Sequence, residues 1–307
     1  MLSFKKKSFK KALKVSIIVI LIFITLSALS TVFVYNSVFD RYDSGIDEMH
    51  LSAKSENITK FTRHTYTSGE NKLKGYWYQT NPKEDLVVIV PGFHAETDDF
   101  IPYINAFCDH NYDVFIFDCT GHGESGGDSA EGFPQIIPDL NATIDYIKSK
   151  SDYKNIHLFG HSRGAYAACC VLKDRNDIKS VVAVNGVDCA MDGIMAYSYD
   201  TVGAVAYINY PFLWSYQAML FGTELNDRSA SECINSSDAN VLVIQSTGDE
   251  NLSADRFSIY AQKSHTDARF VLYDKKGRNG HTNILYDGKN AINPDILSYA
   301  LDLFEKN

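Results

Sequence analysis

The pentapeptide Gly160-His161-Ser162-Arg163-Gly164 is the feature of this 307-residue sequence that points most directly to chemistry. It follows a short apolar run, NIHLF, and opens a segment of helical character, RGAYAACCVLK. In a strand-to-helix turn, a G-x-S-x-G motif exposes the serine hydroxyl at strained dihedral angles, and its glycines avoid Cβ clashes with neighbouring backbone. The pattern predicts Ser162 as a nucleophile. The backbone N–H of Arg163, at the start of the helix, is then placed to stabilise an oxyanion.

A serine nucleophile needs a base and an acid, and the sequence offers candidates for both after later strands. His281 follows the apolar run 270–273, in the peptide Gly-Arg-Asn-Gly-His. Asp249 follows the run VLVIQ, and Glu250 is the neighbouring alternative. The order Ser162, Asp249, His281 is that of one known class of triad fold. We therefore expect His281 to act as general base and Asp249 to hold its ring.

A second oxyanion donor is expected from the loop after the first parallel strand, where the sequence reads Val90-Pro91-Gly92-Phe93-His94. Gly92 permits a sharp turn, and the backbone N–H of Phe93 would then face the site. The segment 118–125, DCTGHGES, ends the next strand, and its glycines suit a tight loop beside the site. Its His122 is expected to have a structural role rather than a catalytic one.

Short apolar runs alternate with helical segments along most of the chain. The predicted strands are 58–67, 73–80, 86–90, 112–117, 155–159, 181–184, 241–245 and 270–273. The predicted helices are 99–110, 134–150, 163–173, 254–263 and 294–304. This alternation predicts an α/β protein with a mostly parallel sheet and helices on both faces, preceded by an antiparallel hairpin over the first two strands.

One interval, residues 185–240, has no clear core strand. An insertion of this size after a sheet strand is typical of a cap over a site, and we place the cap at about 186–238. Eight aromatic residues fall within 197–221, most of which we expect to pack the core of the insertion itself. Trp214 and Tyr210, with His94 of the oxyanion loop, are the candidates for lining a substrate pocket.

The N-terminal region predicts a membrane anchor. Six lysines and no acidic residue lie in 1–14, and residues 15–35 contain no charge, Gly or Pro. A helix of that length rises about 31 Å, close to the thickness of the hydrocarbon core of a bilayer. The lysines predict a cytoplasmic tail (1–14), a single span (15–35), a stalk (36–57) and an extracytoplasmic domain (58–307). A signal peptide cleaved near Ala28-Leu29-Ser30, which would give a secreted protein, is the alternative.

The charge of the chain bears on its binding partners, and its cysteines bear on metal, redox and disulfide sites. Beyond residue 14 the chain has 23 basic and 38 acidic side chains, a formal net charge of −15, which disfavours binding to nucleic acid. The chain has six cysteines and no C-x-x-C pair, so a zinc or redox site is not indicated. Cys119, Cys169 and Cys170 fall in apolar patterns and are expected to be buried; disulfide pairing and oligomeric state stay open.

Taken together, these motifs resemble the α/β-hydrolase superfamily, in the branch of monoacylglycerol-lipase-like and S33-aminopeptidase-like serine hydrolases. The matching elements are PGFH at 91–94, DCTGHGES at 118–125, GHSRG at 160–164, GDE at 248–250 and NGH at 279–281. The sequence departs from the family at three places. Pro91-Gly92 replaces His-Gly before the oxyanion residue, Thr120 replaces the Arg of D-x-R-G-H-G, and Gln245-Ser246 replaces His-Gly before the acid.

The resemblance implies an α/β-hydrolase fold over about residues 60–305 and acyl transfer to water without a metal or cofactor. The preferred substrates are small-molecule carboxylic esters, with lipid-like acyl groups suggested by the anchor and the aromatic cap. An aminopeptidase, amidase or thioesterase using the same triad, and a non-catalytic hydrolase-like binding protein, are the alternatives.

Overall fold

The computed structural model describes residues 2–43, 55–80, 85–286 and 291–305. Its centre is an eight-stranded sheet with the strand order β1-β2-β4-β3-β5-β6-β7-β8. The strands are β1 (Lys60–Ser68), β2 (Asn71–Gln79), β3 (Asp85–Val90), β4 (Asp113–Asp118), β5 (Asn155–His161), β6 (Ser180–Val184), β7 (Asn240–Ser246) and β8 (Arg269–Tyr273). The strands β1 and β2 form the predicted antiparallel hairpin, and β2 pairs antiparallel with β4; all other pairings are parallel.

Helices cover both faces of the sheet, as the alternating pattern predicts. The helices that cover the sheet are α2 (Ile101–Asp109), α3 (Ile136–Lys148), α4 (Arg163–Cys170) and α8 (Pro294–Glu305), the last at the end of the chain. One hydrophobic core joins α3 and α4 to the sheet, and a second joins α2 and α8 to the opposite face. Strands such as β3 (DLVVIV) are apolar on both sides because both faces are covered.

The predicted α-helix at 254–263 is wrong. The structure has a 3₁₀ helix at Ile259–His265 instead. Ser258 is extended and pairs with Val187 in an isolated bridge, and the N–H of Ile259 donates to the carbonyl of Gly186 at 2.9 Å. Pairing with the chain after β6 therefore competes with helix formation, and the Ser258 side chain caps the 3₁₀ helix by accepting from the N–H of Ala261.

The insertion after β6 is helical. It contains α5 (Ala190–Val202), α6 (Ala206–Asn226) and α7 (Ala230–Asn235). Gly222, at φ 76° and ψ 159°, breaks the last turns of α6. Residues 206–221 carry no charged side chain, so this helix is unusual among surface helices.

The N-terminal helix α1 (Leu2–Val38) contains the predicted span and extends beyond it at both ends. Its Phe9–Val38 portion is long and apolar enough to cross a membrane, a property that fits either an anchor or a signal sequence. The helix packs along α6 of the cap, with Ser27, Thr31 and Tyr35 forming a buried stripe at a spacing of four residues. The predicted stalk thus begins with residues that lie against the domain, and its residues 44–54 fall outside the described part of the chain.

The six cysteines are free thiols in this structure. Cys119, Cys169 and Cys170 are buried, as their apolar surroundings predict. Burial raises the pKa of the Cys108 thiol to about 12, so this side chain behaves as a small hydrophobic group rather than as a nucleophile.

Candidate active site

Ser162 occupies the turn between β5 and α4 with φ 56° and ψ −121°, a strained conformation for a residue with a side chain. Backbone hydrogen bonds hold it there: its N–H donates to the carbonyl of Val184 at 2.9 Å, and its carbonyl accepts from the N–H of Tyr166 at 3.1 Å. A Cβ at Gly160 would overlap the backbone of Gly164. A Cβ at Gly164 would in turn overlap the carbonyl oxygen at the end of β3. Both glycines are therefore required by the packing of the turn.

The structure brings Ser162, His281 and Asp249 into one hydrogen-bonded series. His281 Nε2 lies 2.9 Å from Ser162 Oγ, and His281 Nδ1 lies 2.9 Å from each carboxylate oxygen of Asp249. The Asp249 side chain is fully buried, and that of His281 is 11% exposed. An acceptor at Nδ1 keeps the proton on that nitrogen, which leaves Nε2 able to take the serine proton.

The loop after β7 fixes the Asp249 carboxylate. Its Oδ1 accepts from the backbone N–H groups of Asn251 and Leu252 at 2.9 and 2.8 Å. Its Oδ2 accepts from Gln245 Nε2 at 3.1 Å, and the same amide nitrogen also donates to the carbonyl of Leu252. Gln245, which stands where the resembled family has His, thus orients the Asp249 carboxylate.

Glu250, the alternative acid, makes a different contact. Its Oε2 accepts from the backbone N–H of His281 at 2.9 Å, and it does not reach the imidazole ring in the described structure. It therefore holds the histidine loop, while Asp249 faces the ring.

Sequence reasoning missed Asn185, which joins the end of β6 to the end of β7 and to the loop that carries His281. Its Nδ2 donates to Ser246 Oγ and to the carbonyl of His281, both at 2.9 Å, and its Oδ1 accepts from the N–H of Ser246 at 2.8 Å. His161 Nε2 lies 2.9 Å from the same His281 carbonyl, and burial lowers the pKa of His161 to about 3. The neutral imidazole donates this bond. A buried polar residue directly after β6 is the signal that could have identified Asn185.

The loop after β3 lies beside Ser162. A Cβ at Gly92 would stand 3.4 Å from Ser162 Cβ, so the backbone of the predicted oxyanion loop passes close to the serine. His94 has φ 54°, and its N–H donates to His122 Nε2 at 3.3 Å. The other ring nitrogen of His122 bonds the Thr120 carbonyl, and burial lowers the pKa of His122 to about 4. His122 is thus a neutral, buried support of this loop.

The side chain of Arg163 points away from the cavity. Its guanidinium is buried and donates to the carbonyls of Phe133 (2.9 Å) and Gly132 (2.5 Å). It also lies 5.6 Å from the ring centre of Phe93. This leaves the backbone N–H, at the first turn of α4, as the part of Arg163 next to Ser162.

A cavity of about 1010 Å³ opens at Ser162 and His281. Of the three predicted pocket residues, His94 lines this cavity, whereas Trp214 and Tyr210 do not. The Trp214 indole instead donates to Asp227 Oδ1 at 2.7 Å and packs against the core beneath the cap. Other described residues at the cavity include Phe93, Phe133, Ala196, Tyr197, Leu252 and Tyr286, together with the acids Asp98, Asp99 and Glu250.

One group of potential metal ligands, Asp188, Cys189 and Asp192, lies apart from this cavity within the described structure. Asp188 Oδ1 accepts from the N–H of Ser231 at 2.8 Å, and Oδ2 accepts from Ser229 Oγ at 3.1 Å. These contacts hold the start of α7, which gives the acid a structural use.

Comparison with known proteins places this geometry in context. The family model of the S33 serine aminopeptidases matches residues 81–196. A curated relative, the uncharacterized protein YqkD of Bacillus subtilis, is 30% identical over 98 residues, which are 31% of this chain and 32% of that protein. The matches span about a third or less of the length of the curated relatives.

Solved structures match over a much larger part of the chain. An α/β hydrolase from Vibrio vulnificus superposes with a TM-score of 0.64 at 17% identity, covering 90% of this chain and 92% of that one. The chain has the α/β-hydrolase fold. The esterase Pf2001 of Pyrococcus furiosus superposes with a TM-score of 0.61 at 18% identity, covering 87% and 97% of the two chains. The family-model match and these structures support the α/β-hydrolase superfamily.

Proposed function

We propose that this protein is a serine hydrolase that cleaves carboxylic esters through an acyl-enzyme intermediate. The observation that carries the proposal is the hydrogen-bonded series of Ser162, His281 and Asp249 at a cavity lined largely by apolar side chains. The strained turn at Ser162 adds support, because it presents the hydroxyl at the carboxyl edge of the sheet.

In the proposed reaction, His281 Nε2 takes the proton from Ser162 Oγ as this oxygen attacks the carbonyl carbon of the ester. The carbonyl oxygen becomes an oxyanion and accepts from the N–H groups of Phe93 and Arg163. Collapse of the intermediate expels the alcohol, which takes the proton from His281. A water molecule then gives a proton to His281 and attacks the acyl carbon. The bond to Ser162 Oγ breaks, this oxygen takes the proton back from His281, and the carboxylic acid leaves.

The proposed substrates are amphiphilic esters held in a membrane. In support, the cap carries exposed large hydrophobic side chains and packs against α1. These cap residues include Tyr197, Tyr199, Tyr207, Ile208, Tyr210, Met219 and Leu220. Tyr197 also lines the cavity, so the apolar surface of the cap is continuous with the site.

We place the N-terminus in the cytoplasm and the hydrolase domain outside it. Lysines confined to one side of the span support this orientation. N-terminal sequencing of the purified protein tests the anchor: an uncleaved anchor keeps residues 1–14, whereas a signal peptide cut after Ser30 leaves a chain that starts at Thr31 and is not held in the membrane.

A specific observation favours a second candidate, an aminopeptidase or amidase. The carboxyl groups of Asp98, Asp99 and Glu250 lie at the cavity and would attract a cationic group on a substrate. A thioester substrate would use the same acyl chemistry. A non-catalytic binding protein is disfavoured, because binding alone does not require Ser162, His281 and Asp249 to be in contact.

Hydrolysis by the full-length protein in detergent micelles separates these candidates. The substrates compared are p-nitrophenyl esters with short and medium acyl chains, a matched thioester and aminoacyl amides. The Ser162→Ala variant is the control. We expect serine-dependent hydrolysis of the esters. Cleavage of aminoacyl amides without cleavage of esters would replace the esterase by a peptidase.

A further inference from the structure

The segment that leaves the apolar helix, residues 35–43, is built into the domain; we call it the exit segment. Tyr35 and Phe39 are 2% and 4% exposed and belong to the core that includes α3 and α4. The Tyr35 hydroxyl donates to Gln217 Oε1 of α6 at 2.9 Å. A Cβ at Gly132 would overlap the same hydroxyl, so Tyr35 lies between the cap and the loop that binds Arg163.

Backbone hydrogen bonds tie the exit segment to the loop that follows β4. The carbonyl of Phe39 accepts from the N–H of Ala130 at 2.8 Å. The N–H of Tyr42 donates to the carbonyl of Gly121 at 2.9 Å, and its carbonyl accepts from the N–H of Gly123 at 3.2 Å. The contacts therefore lie on both sides of His122, the residue that accepts the N–H of His94.

Arg41 extends these ties with its side chain. Its guanidinium donates to the carbonyls of Gly123 (2.5 Å), Ser125 (2.9 Å) and Gly127 (2.9 Å). Three bonds from one planar group fix the relative position of three carbonyls, and a lysine at this site cannot reproduce that geometry.

Aromatic contacts carry the same segment to the oxyanion loop. The Phe39 ring lies 5.3 Å from that of Phe93, and the Tyr42 ring is stacked on His94 at 4.7 Å with planes 19° apart. Phe93 and His94 are themselves stacked at 4.0 Å. The exit segment thus contacts Phe93, whose N–H is the proposed oxyanion donor, through Phe39, and it contacts the next residue, His94, through Tyr42.

We propose that the exit segment is a positioning element of the active site: Phe39 and Tyr42 hold the oxyanion loop, so the proposed anchor contributes to catalysis as well as to location. This inference rests on the proposed function. Phe93 and His94 lie in a loop without helix or strand, and His94 has a positive φ, so the loop depends on side-chain contacts for its position. Donor placement within about half an ångström is needed for full transition-state stabilisation.

The test uses the full-length chain in lipid nanodiscs with the substitutions Phe39→Ala, Tyr42→Ala and Tyr42→Phe. The matched control is Phe33→Ala, an apolar residue of the same helix that is 74% exposed. The concentration of reactive serine in each sample is titrated with a fluorophosphonate, and kcat and KM are then measured for a p-nitrophenyl ester. This normalisation removes any loss that is due to misfolded protein.

We expect Phe39→Ala and Tyr42→Ala to lower kcat per reactive serine about tenfold or more, with a smaller change in KM. Tyr42→Phe keeps the stacked ring and should restore kcat, and Phe33→Ala should match the wild type. Wild-type kcat per reactive serine in both alanine variants would overturn the inference and leave the proposed function standing. An unreactive wild type would overturn both.

Discussion

At the scale of single residues, the neighbouring acids Asp249 and Glu250 contact different parts of His281. Both carboxylates lie in the loop after β7, three and four residues beyond its end, so their spacing does not separate them. The turn after the strand directs Asp249 to His281 Nδ1 and Glu250 to the backbone N–H of His281. Ser162 and His281 were easier to select because each lies in a short glycine-containing peptide after a strand. The contacts of Asn185 could not be predicted, since they join segments that are 61 and 96 residues apart in the sequence.

The two neighbouring acids give a matched pair of substitutions. Asp249→Asn removes the charge facing the imidazole and favours the wrong tautomer, and we expect kcat for a p-nitrophenyl ester to fall roughly 10³–10⁴-fold. Glu250→Gln keeps an acceptor for the His281 N–H and should change kcat by no more than about tenfold. Equal losses in the two variants, or a larger loss in Glu250→Gln, would reverse the assignment of the acid.

At the scale of secondary structure, continuous apolar runs predicted the central strands well because parallel strands are covered on both faces. β3 illustrates this, with the predicted 86–90 against the observed Asp85–Val90. The 3₁₀ helix at Ile259–His265 was not predicted because its start is set by pairing with residues 186–187. The contacts of the exit segment could not be predicted for a similar reason: Arg41 bonds carbonyls more than 80 residues away, which no local pattern reveals.

The β5–α4 turn gives a prediction at this scale. In Gly164→Ala the new methyl group would meet the end of β3, and we expect a stability loss of about 3 kcal/mol or more together with loss of fluorophosphonate reactivity. Gly69→Ala is the comparison, because Gly69 has φ 57° with no atom within 4 Å of its Cβ position, and it should cost about 1 kcal/mol without affecting reactivity. Thermal unfolding and labelling check both. A Gly164→Ala protein with wild-type reactivity would show that the turn tolerates the methyl group.

At the scale of the whole molecule, buried neutral histidines link stability to pH. Burial lowers the pKa of His122 and His157 to about 4 and that of His161 to about 3. As the pH is lowered, these histidines take up protons near pH 6.5 in the unfolded chain and only at a lower pH in the folded chain. Their neutral forms therefore contribute their full stabilisation above about pH 6.5, and this contribution is lost as pH falls through about 4 for His122 and His157 and about 3 for His161.

His157 allows this to be measured away from the active site, since it lies near the start of β5 and neither ring nitrogen has a hydrogen-bond partner in the described structure. We expect His157→Leu to reduce the pH dependence of the unfolding free energy between pH 6.5 and 4 by up to about 1.4 kcal/mol per pH unit. Ester hydrolysis at pH 7 should be unchanged. A variant with the same pH slope as the wild type would place the acid sensitivity at other groups.

The measurement that tests the central claim most directly is fluorophosphonate labelling of the full-length protein, with the labelled peptide identified by mass spectrometry. Wild type is compared with Ser162→Ala and His281→Ala, and folding of each is checked by thermal unfolding. We expect a single label on Ser162 in the wild type and the loss of this label in both folded variants. A folded wild type that takes no label, or labelling that survives in Ser162→Ala, would contradict it.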